Sequence, residues 1–216
     1  MKKCVTVLDY GCGNLFSVLR SLAKTVDEIE VIDTYHPKMR STHLVLPGVG
    51  TYGEAMNQVR NRGLDQVLLN HQLLGLPILG ICVGMQILTS VGYENGIHNG
   101  LNLVEGKTIS LTSDEIKGKE SARIPNMGWM QVEIVDTHSP NLLFKNVGDK
   151  FDAYFAHSFE VRLENIKSMT SMSYFGERQV VASFAQDNVF GVQFHPEKSG
   201  KSGLAIIDNF LNSAFE

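Results

Sequence analysis

The sequence has few cysteines and no long apolar run. Its three cysteines in 216 residues, Cys4, Cys12 and Cys82, fit no disulfide framework and have no zinc-finger spacing. We therefore expect a reducing, cytoplasmic compartment. No stretch approaches the roughly 18 apolar residues that span a bilayer, and Asp9 interrupts the apolar start of the chain. Neither a membrane span nor a signal peptide is predicted.

The sequence also lacks an excess of positive charge. Its 19 Lys and Arg residues are outnumbered by 23 Asp and Glu residues, which gives a net charge of −4. This balance argues against a general nucleic-acid binder, because such a protein needs a basic surface to neutralise phosphates. The hydrophobic share of 43% excludes a disordered chain or a coiled coil. Without a linker or an internal repeat, residues 1–216 are predicted to form a single domain.

Short apolar runs alternate with stretches of helical periodicity through the first half of the chain. Asn14 is a suitable cap for a first helix, whose apolar face comprises Leu15, Val18, Leu19, Leu22 and Val26. Two more helices are predicted around Glu54–Arg62 and Leu64–Leu73. The strands predicted between them are Cys4–Leu8, Glu30–Ile32, Leu44–Leu46 and Ile78–Ile81. This alternation predicts a parallel sheet covered on both faces.

The second half consists of apolar strands with few helices between them. These strands are Trp129–Val135, Phe151–Phe155, Phe159–Leu163, Val180–Phe184 and Val189–Phe194. Strands in this arrangement add antiparallel edges or a small lobe to a sheet. A closing helix is predicted over Gly203–Ala214 and an exposed loop over Leu111–Ser121. We therefore expect an α/β fold with a mostly parallel central sheet, flanking helices and an additional antiparallel strand region.

Cys82 lies at the centre of a glycine-flanked turn between a strand and a helix. The segment Gly80-Ile81-Cys82-Val83-Gly84 follows the nucleophile-elbow pattern, with cysteine in place of serine. The glycines permit a tight turn that lifts the central side chain above the sheet, and the amides at the start of the helix favour a thiolate. The alternative is a small buried cysteine in a glycine turn, and the pentapeptide alone does not decide between the two.

His195 and Glu197 stand two residues apart at the end of the last predicted strand. In an extended segment such residues project to the same side, so Glu197 can orient the His195 imidazole. If the fold brings Cys82 to them, the three form a complete set of nucleophile, base and orienting group. Taken singly, His195 fits an ordinary strand-end histidine and Glu197 fits a solvated charge. The pair has no convincing third ligand nearby, so neither a metal nor a cofactor is predicted.

Pro47-Gly48-Val49-Gly50 is a second glycine loop at a strand end. Its amides are candidates to donate to a developing oxyanion, where one donor contributes roughly 10²–10³ in rate. An ordinary turn is the alternative. The segment Gly11-Cys12-Gly13 does not complete a dinucleotide-binding fingerprint, because Phe16 occupies the position of the third glycine.

In combination these segments resemble the class I, triad-type glutamine amidotransferases. The segments PGVG, GICVGMQ and GVQFHPEKSG occur in one order. They are accompanied by DYGCGN, by PNMGW at Pro125–Trp129 and by YFAHSF at Tyr154–Phe159, which are similar to the glutaminase subunits of imidazole glycerol phosphate synthases. The resemblance runs from Asp9 to the final helix and covers the Leu111–Ser121 loop least.

The resemblance implies a role for each of these residues. Cys82 would attack the carboxamide of L-glutamine, with His195 as acid and base and Glu197 as its orienting group. The oxyanion site would consist of Gly48, Val49, Gly50 and the elbow amide of Val83. The residues implied for substrate recognition are Gln86, Glu94, His157, Ser158 and Phe159.

The resemblance also implies a partner. Glutaminases of this kind dock on a (β/α)₈-barrel synthase, which receives the ammonia and forms imidazole glycerol phosphate and an aminoimidazole carboxamide ribotide in histidine biosynthesis. The implied interface positions are Asn126, Trp129, Tyr154 and Lys198. The family usually has histidine and asparagine where this chain has Asn126 and Met130. This departure keeps a second pathway open, in which a paralogous glutaminase supplies ammonia for amidation of a surface sugar.

Two further classes of function remain open from the sequence. The chain could be a catalytically silent binding module, or a stand-alone Cys–His hydrolase. The intact Cys82, His195 and Glu197 argue against the first class. The downstream HPE segment and the implied glutamine-recognition residues favour amidotransfer over the second class.

Overall fold

The computed structural model describes residues 4–26, 28–36, 41–112, 123–135 and 142–213. Strands and helices alternate over the first part of the chain, as the periodicity predicts. The elements are β1 (Cys4–Leu8), α1 (Leu15–Leu22), β2 (Glu28–Ile32), β3 (His43–Gly48), α2 (Tyr52–Asn61), α3 (Leu64–Leu73), β4 (Ile78–Cys82) and α4 (Val83–Ile87).

Strands dominate the remainder. They are β5 (Thr89–Gly92), β6 (His98–Asn99), β7 (Val104–Ser110), β8 (Asn126–Ile134), β9 (Lys150–His157), β10 (Phe159–Leu163), β11 (Met169–Phe175), β12 (Arg178–Gln186) and β13 (Val189–Val192). The helix α5 (Gly200–Asn212) closes the described chain. Within the described residues, no helix is long and apolar enough to cross a membrane.

The strands form two sheets. In the described chain the larger sheet has nine strands in the order β2-β1-β3-β4-β13-β12-β11-β8-β9, and the smaller has the order β10-β7-β5-β6. Pairings from β2 to β13 are parallel and those from β13 to β9 are antiparallel. The expected α/β class, with a parallel sheet, flanking helices and an additional antiparallel region, is confirmed.

Local sequence explains the well-predicted elements. Strands β1, β3, β4 and β13 are buried along their whole length, as expected where helices cover both faces of a parallel sheet. The Asn14 side chain accepts a hydrogen bond from the Ser17 N–H at the start of α1, and this helix buries Val18 and Leu22. The helix α3 occupies the predicted range, with Leu64, Val67, Leu68 and His71 buried.

Several expectations were incomplete. The sequence did not predict β5, β6, β7 or β11, and α5 begins at Gly200 rather than Gly203. The helix after Cys82 has five residues, because the chain re-enters a strand at Thr89. Residues 113–121 of the predicted loop, together with Ala214 at the predicted end of the last helix, lie outside the described residues.

Candidate active site

The turn between β4 and α4 presents Cys82 in a strained conformation. Cys82 has φ 55° and ψ −110°, and a positive φ is unusual for a residue other than glycine. The flanking glycines are required by space. A Cβ on Gly84 would lie 1.9 Å from the carbonyl oxygen of Leu46, and one on Gly80 would lie 2.7 Å from the carbonyl oxygen of Gly84. The predicted nucleophile elbow is therefore formed by close backbone approach on both sides of the cysteine.

The strands β4 and β13 bring the segments that carry the predicted triad to one edge of the sheet. Ile81 pairs with Val192 in parallel register, so the chain segments that follow both strands leave the same edge of the sheet. His195 Nδ1 lies 2.8 Å from Glu197 Oε1, and both side chains are buried. Burial lowers the pKa of His195, but hydrogen bonds to Cys82 and Glu197 outweigh that effect and raise this pKa to about 9. An imidazole of raised pKa thus lies beside the Cys82 thiol.

The predicted oxyanion segment begins within the last residues of β3, next to Cys82. Gly48 is the register partner of Cys82 in the β3–β4 pair. Val49 is partly exposed, and Gly50 has φ +102° with no other atom within 4 Å of where its Cβ would be. Val83 begins α4 directly after Cys82. The loop and the elbow thus lie next to each other at the sheet edge that carries Cys82.

The two residues implied for recognition of the glutamine amino-acid end differ in their surroundings. Gln86 is buried, and its Nε2 donates to the Phe159 carbonyl at 3.1 Å and to Gln193 Oε1 at 3.0 Å. Both of its amide hydrogens are therefore used inside the protein. Glu94 Oε2 accepts a hydrogen bond at 2.6 Å from the backbone N–H of Tyr52, at the start of α2.

The segment of His157, Ser158 and Phe159 joins β9 to β10. Since a carbonyl only accepts, His157 Nδ1 donates to the Phe159 carbonyl at 2.8 Å, and its Nε2 accepts from Asn126 Nδ2 at 2.9 Å. Burial lowers the pKa of His157 to about 4. The ring is thus held neutral with a fixed orientation, while the half-buried Ser158 lies between the strands.

Strand β8 corrects one interface expectation. Asn126 is 4% exposed, so its side chain offers no contact surface to a partner. Met130, the other departure from the family pattern, packs partly against the core. Alternation along the strand turns Met127 and Trp129 outward instead, with 60% and 57% of their surface exposed. Both departures therefore lie on the inner face of β8.

The other three interface positions form one surface group, which we call the aromatic cluster: Trp129, Tyr154 and Lys198. The two aromatic rings meet edge to face with centroids 6.3 Å apart, and Lys198 Nζ lies 5.5 Å from the Tyr154 ring centroid. The Tyr154 carbonyl accepts a hydrogen bond from the His195 backbone N–H at 2.8 Å. One backbone contact thus joins the aromatic cluster to His195.

Sequence reasoning assigned no role to Gln193, although it lies in the same segment as His195. Its side chain is fully buried and its Nε2 donates to Cys82 Sγ at 3.7 Å. The segment Pro196–Lys198 forms a short 3₁₀ helix, so the extended geometry expected between His195 and Glu197 was wrong, and no alternation in the sequence pointed to Gln193. Among the residues that the structure describes, no group of three His, Cys, Asp or Glu side chains could hold a metal ion.

The chemistry of the site agrees with a family comparison. Residues 6–214 match the profile of the family described as Glutamine amidotransferase class-I. The chain belongs to this family. The amidotransferase is 35% identical over 206 residues to the imidazole glycerol phosphate synthase subunit HisH of Syntrophotalea carbinolica, covering 95% of this chain and 98% of that protein. It is 37% identical over 208 residues to the protein of the same name from Chlorobium chlorochromatii, with the same coverage.

Solved structures of lower sequence identity share the fold of this amidotransferase. The structure of PurLQS from Thermotoga maritima has a TM-score of 0.73 at 20% identity and covers 98% of this chain and 99% of its own. A putative GMP synthase protein from Thermoplasma acidophilum has a TM-score of 0.71 at 20% identity and covers 98% and 93%. At this identity the likeness shows the fold alone.

Proposed function

We propose that this amidotransferase is the glutaminase subunit of an imidazole glycerol phosphate synthase. It would hydrolyse glutamine to glutamate and ammonia and deliver the ammonia to a (β/α)₈-barrel partner in histidine biosynthesis. The observation that carries the proposal is the placement of Cys82 beside the buried, hydrogen-bonded pair of His195 and Glu197. Relatives named as HisH subunits, similar over 95% of the chain, support the pathway.

In the proposed reaction, the sulfur of Cys82 attacks the carboxamide carbon of glutamine. His195 holds the proton that leaves the thiol and transfers it to the departing nitrogen, so that ammonia leaves and a γ-glutamyl thioester remains. A water molecule then gives a proton to His195 and attacks the thioester carbon. Glutamate leaves, and the proton returns to the sulfur. Glu197 keeps the imidazole oriented and stabilises its positive charge in both half-reactions.

Charge on the carbonyl oxygen develops in each half-reaction and needs fixed donors. We assign this role to the backbone amides of the Gly48–Gly50 loop and of Val83, which flank the nucleophile in the sheet. The positive φ of Gly50 and the open space around it allow the loop to change conformation, so a partner can regulate the donors.

Recognition of glutamine involves a charged and a neutral group. The Glu94 carboxylate is held at the start of α2 and is suited to the α-ammonium group. Both amide hydrogens of Gln86 are used internally, so Oε1 is the polar atom it can offer to the same ammonium. The half-buried Ser158 would face the carboxylate side of the substrate.

The aromatic cluster is the proposed docking surface for the barrel. Trp129 is the single tryptophan of the chain and is exposed beside a lysine, which is the composition of an interface anchor with a polar rim. The sugar-amidating alternative was based on Asn126 and Met130. Asn126 is buried on β8 and lies out of direct partner contact, which weakens that alternative and favours the histidine pathway.

The test compares two cysteine variants. Cys82→Ala should lower glutamine hydrolysis by about 10³-fold or more, because members of a triad act as a unit. Cys12→Ala, at a partly exposed cysteine, is the matched control and should retain activity. Both are assayed in the presence of the barrel partner with its ribulosyl substrate. Substantial hydrolysis by Cys82→Ala would refute the proposed nucleophile.

Complementation tests the pathway separately. A strain that lacks its histidine-pathway glutaminase subunit should grow without histidine at low ammonium when it carries this gene with its own barrel partner. Absence of growth, together with loss of a surface-sugar modification when the gene is deleted, would assign the chain to the alternative pathway.

A further inference from the structure

Two buried glutamine side chains lie in series beside the nucleophile. Gln86 Nε2 donates to the Phe159 carbonyl at 3.1 Å and to Gln193 Oε1 at 3.0 Å, and Gln193 Nε2 lies 3.7 Å from Cys82 Sγ. Gln193 has no exposed surface and Gln86 has 3%. These hydrogen bonds therefore connect the Phe159 carbonyl to the Cys82 sulfur through two side chains that are shielded from solvent.

The Phe159 carbonyl, at one end of the series, fixes the direction of every hydrogen bond in it. The Phe159 carbonyl only accepts hydrogen bonds, so the Gln86 group facing it must be the NH₂. The second hydrogen of that NH₂ points at Gln193, so Gln193 must present its oxygen there. Its own NH₂ is then left to face Cys82 Sγ. Rotation of the Gln86 amide would bring two acceptors together, and rotation of the Gln193 amide would bring two donors together, which is costly in a buried site.

The Phe159 carbonyl also accepts a hydrogen bond from a second side chain. His157 Nδ1 donates to the Phe159 carbonyl at 2.8 Å. A carbonyl with two donors is fully occupied, so it resists rotation and keeps the series in place.

The sulfur has a competing partner. The Ala156 carbonyl lies 3.8 Å from Cys82 Sγ and accepts a hydrogen bond from the thiol. A carbonyl attracts a thiol hydrogen but repels a thiolate, whereas an N–H attracts a thiolate. Gln193 is thus the side chain that, with His195, favours the reactive form of Cys82.

We propose that Gln193 is a further catalytic residue of this amidotransferase, which donates an N–H to the Cys82 sulfur and holds the thiolate in the orientation for attack. The hydrogen bond is strongest when the sulfur is charged, before the attack and again when the thioester is cleaved. No bond to Gln193 forms or breaks. The proposal rests on the proposed function, because it assumes that Cys82 is the nucleophile.

The experiment measures glutamine hydrolysis and Cys82 alkylation by iodoacetamide in the full chain with its barrel partner. Two variants remove the donor: Gln193→Leu deletes the amide, and Gln193→Glu keeps the side-chain shape and an oxygen for Gln86. Asn188→Leu is the matched control, since Asn188 is a buried amide beside β13 that donates to the carbonyls of Gln72 and Leu76 rather than to the sulfur.

Both Gln193 variants should lower kcat by about tenfold to a hundredfold with KM unchanged, since a hydrogen bond to a charged group has that effect on a rate. Alkylation of Cys82 near neutral pH should slow by a similar factor. Asn188→Leu should lower the melting temperature without changing either rate. If Gln193→Leu does not fold, the kcat and the alkylation rate of Gln193→Glu alone test the proposal.

Alkylation of both Gln193 variants at the parent rate would overturn the proposal, as would an unchanged kcat. Alkylation does not require glutamine, so the result is independent of the substrate. If the parent complex fails to hydrolyse glutamine while Cys82 alkylation still depends on Gln193, the proposed function is wrong and the contact of Gln193 with the sulfur stands.

Discussion

Replacing His71 by glutamine is expected to make the protein less sensitive to acid. His71 is 4% exposed at the end of α3. Burial, and to a smaller extent the neighbouring His43, lower its pKa from 6.5 to about 4. A hydrogen bond to the Pro77 carbonyl acts in the opposite direction and offsets only part of this shift. The unfolded chain therefore takes up this proton at a higher pH than the folded chain. The free energy of unfolding must fall as the pH drops from 6.5 towards 4.

The size of the effect follows from the two pKa values. One pKa unit corresponds to about 1.4 kcal/mol, so His71 accounts for about 3 kcal/mol of unfolding free energy lost near pH 4. A domain has roughly 5–15 kcal/mol in total. Glutamine keeps an N–H for the Pro77 carbonyl but does not titrate. His157, with its pKa lowered to about 4, continues to contribute in parent and variant alike.

Urea unfolding followed by circular dichroism, at neutral pH and near pH 4, measures the difference. His71→Gln should lose about 3 kcal/mol less than the parent between the two conditions. The parent protein, measured under both conditions, is the control. Equal losses in the parent and in His71→Gln would refute the reasoning.

Two further predictions concern packing and charge. Gly84→Ala places a Cβ 1.9 Å from the Leu46 carbonyl oxygen and should cost about 1–3 kcal/mol in urea unfolding, whereas Gly13→Ala, whose Cβ makes ordinary contacts, should be mild. Glu160→Gln leaves two arginines without their buried carboxylate and should cost about 3 kcal/mol. Glu133→Gln, whose partner Lys150 is exposed to solvent, should cost much less in the same assay. Similar losses within either pair would contradict these assignments.

The sequence predicted the parallel part of the fold because each element carries its own signal there. Gly63 and Gly75 flank the helix Leu64–Leu73. Both adopt a positive φ, which ends α2 at Gly63 and α3 at Gly75. Strand β11 was missed because polar residues occupy its interior. Ser171 and Ser173 are buried, with hydroxyl groups bonded to Ser183 and to the Gln131 carbonyl. Tertiary hydrogen bonds compensate for this polarity, and a hydrophobic pattern does not reveal them.

The candidate site was also only partly predictable from the sequence. The residue types and local spacings of Cys82, His195 and Glu197 were visible in the sequence, but their proximity depends on the pairing of β4 with β13. The inward orientation of Asn126 could have been found, because alternation from an exposed Trp129 turns it towards the interior. The contact between Gln193 and the sulfur could not, since it requires the register of neighbouring strands.

The position of β13 in the large sheet has a consequence for the order of assembly. This strand is the last in the described chain, yet it lies between β4 and β12 and joins the parallel and antiparallel halves. During synthesis the ribosome releases both halves before the strand that connects them. Until residues 189–192 insert, the facing edges of β4 and β12 lack their partner strand, and His195 cannot reach Cys82. A nascent chain is therefore expected to hydrolyse no glutamine, and the onset of activity marks completion of the sheet.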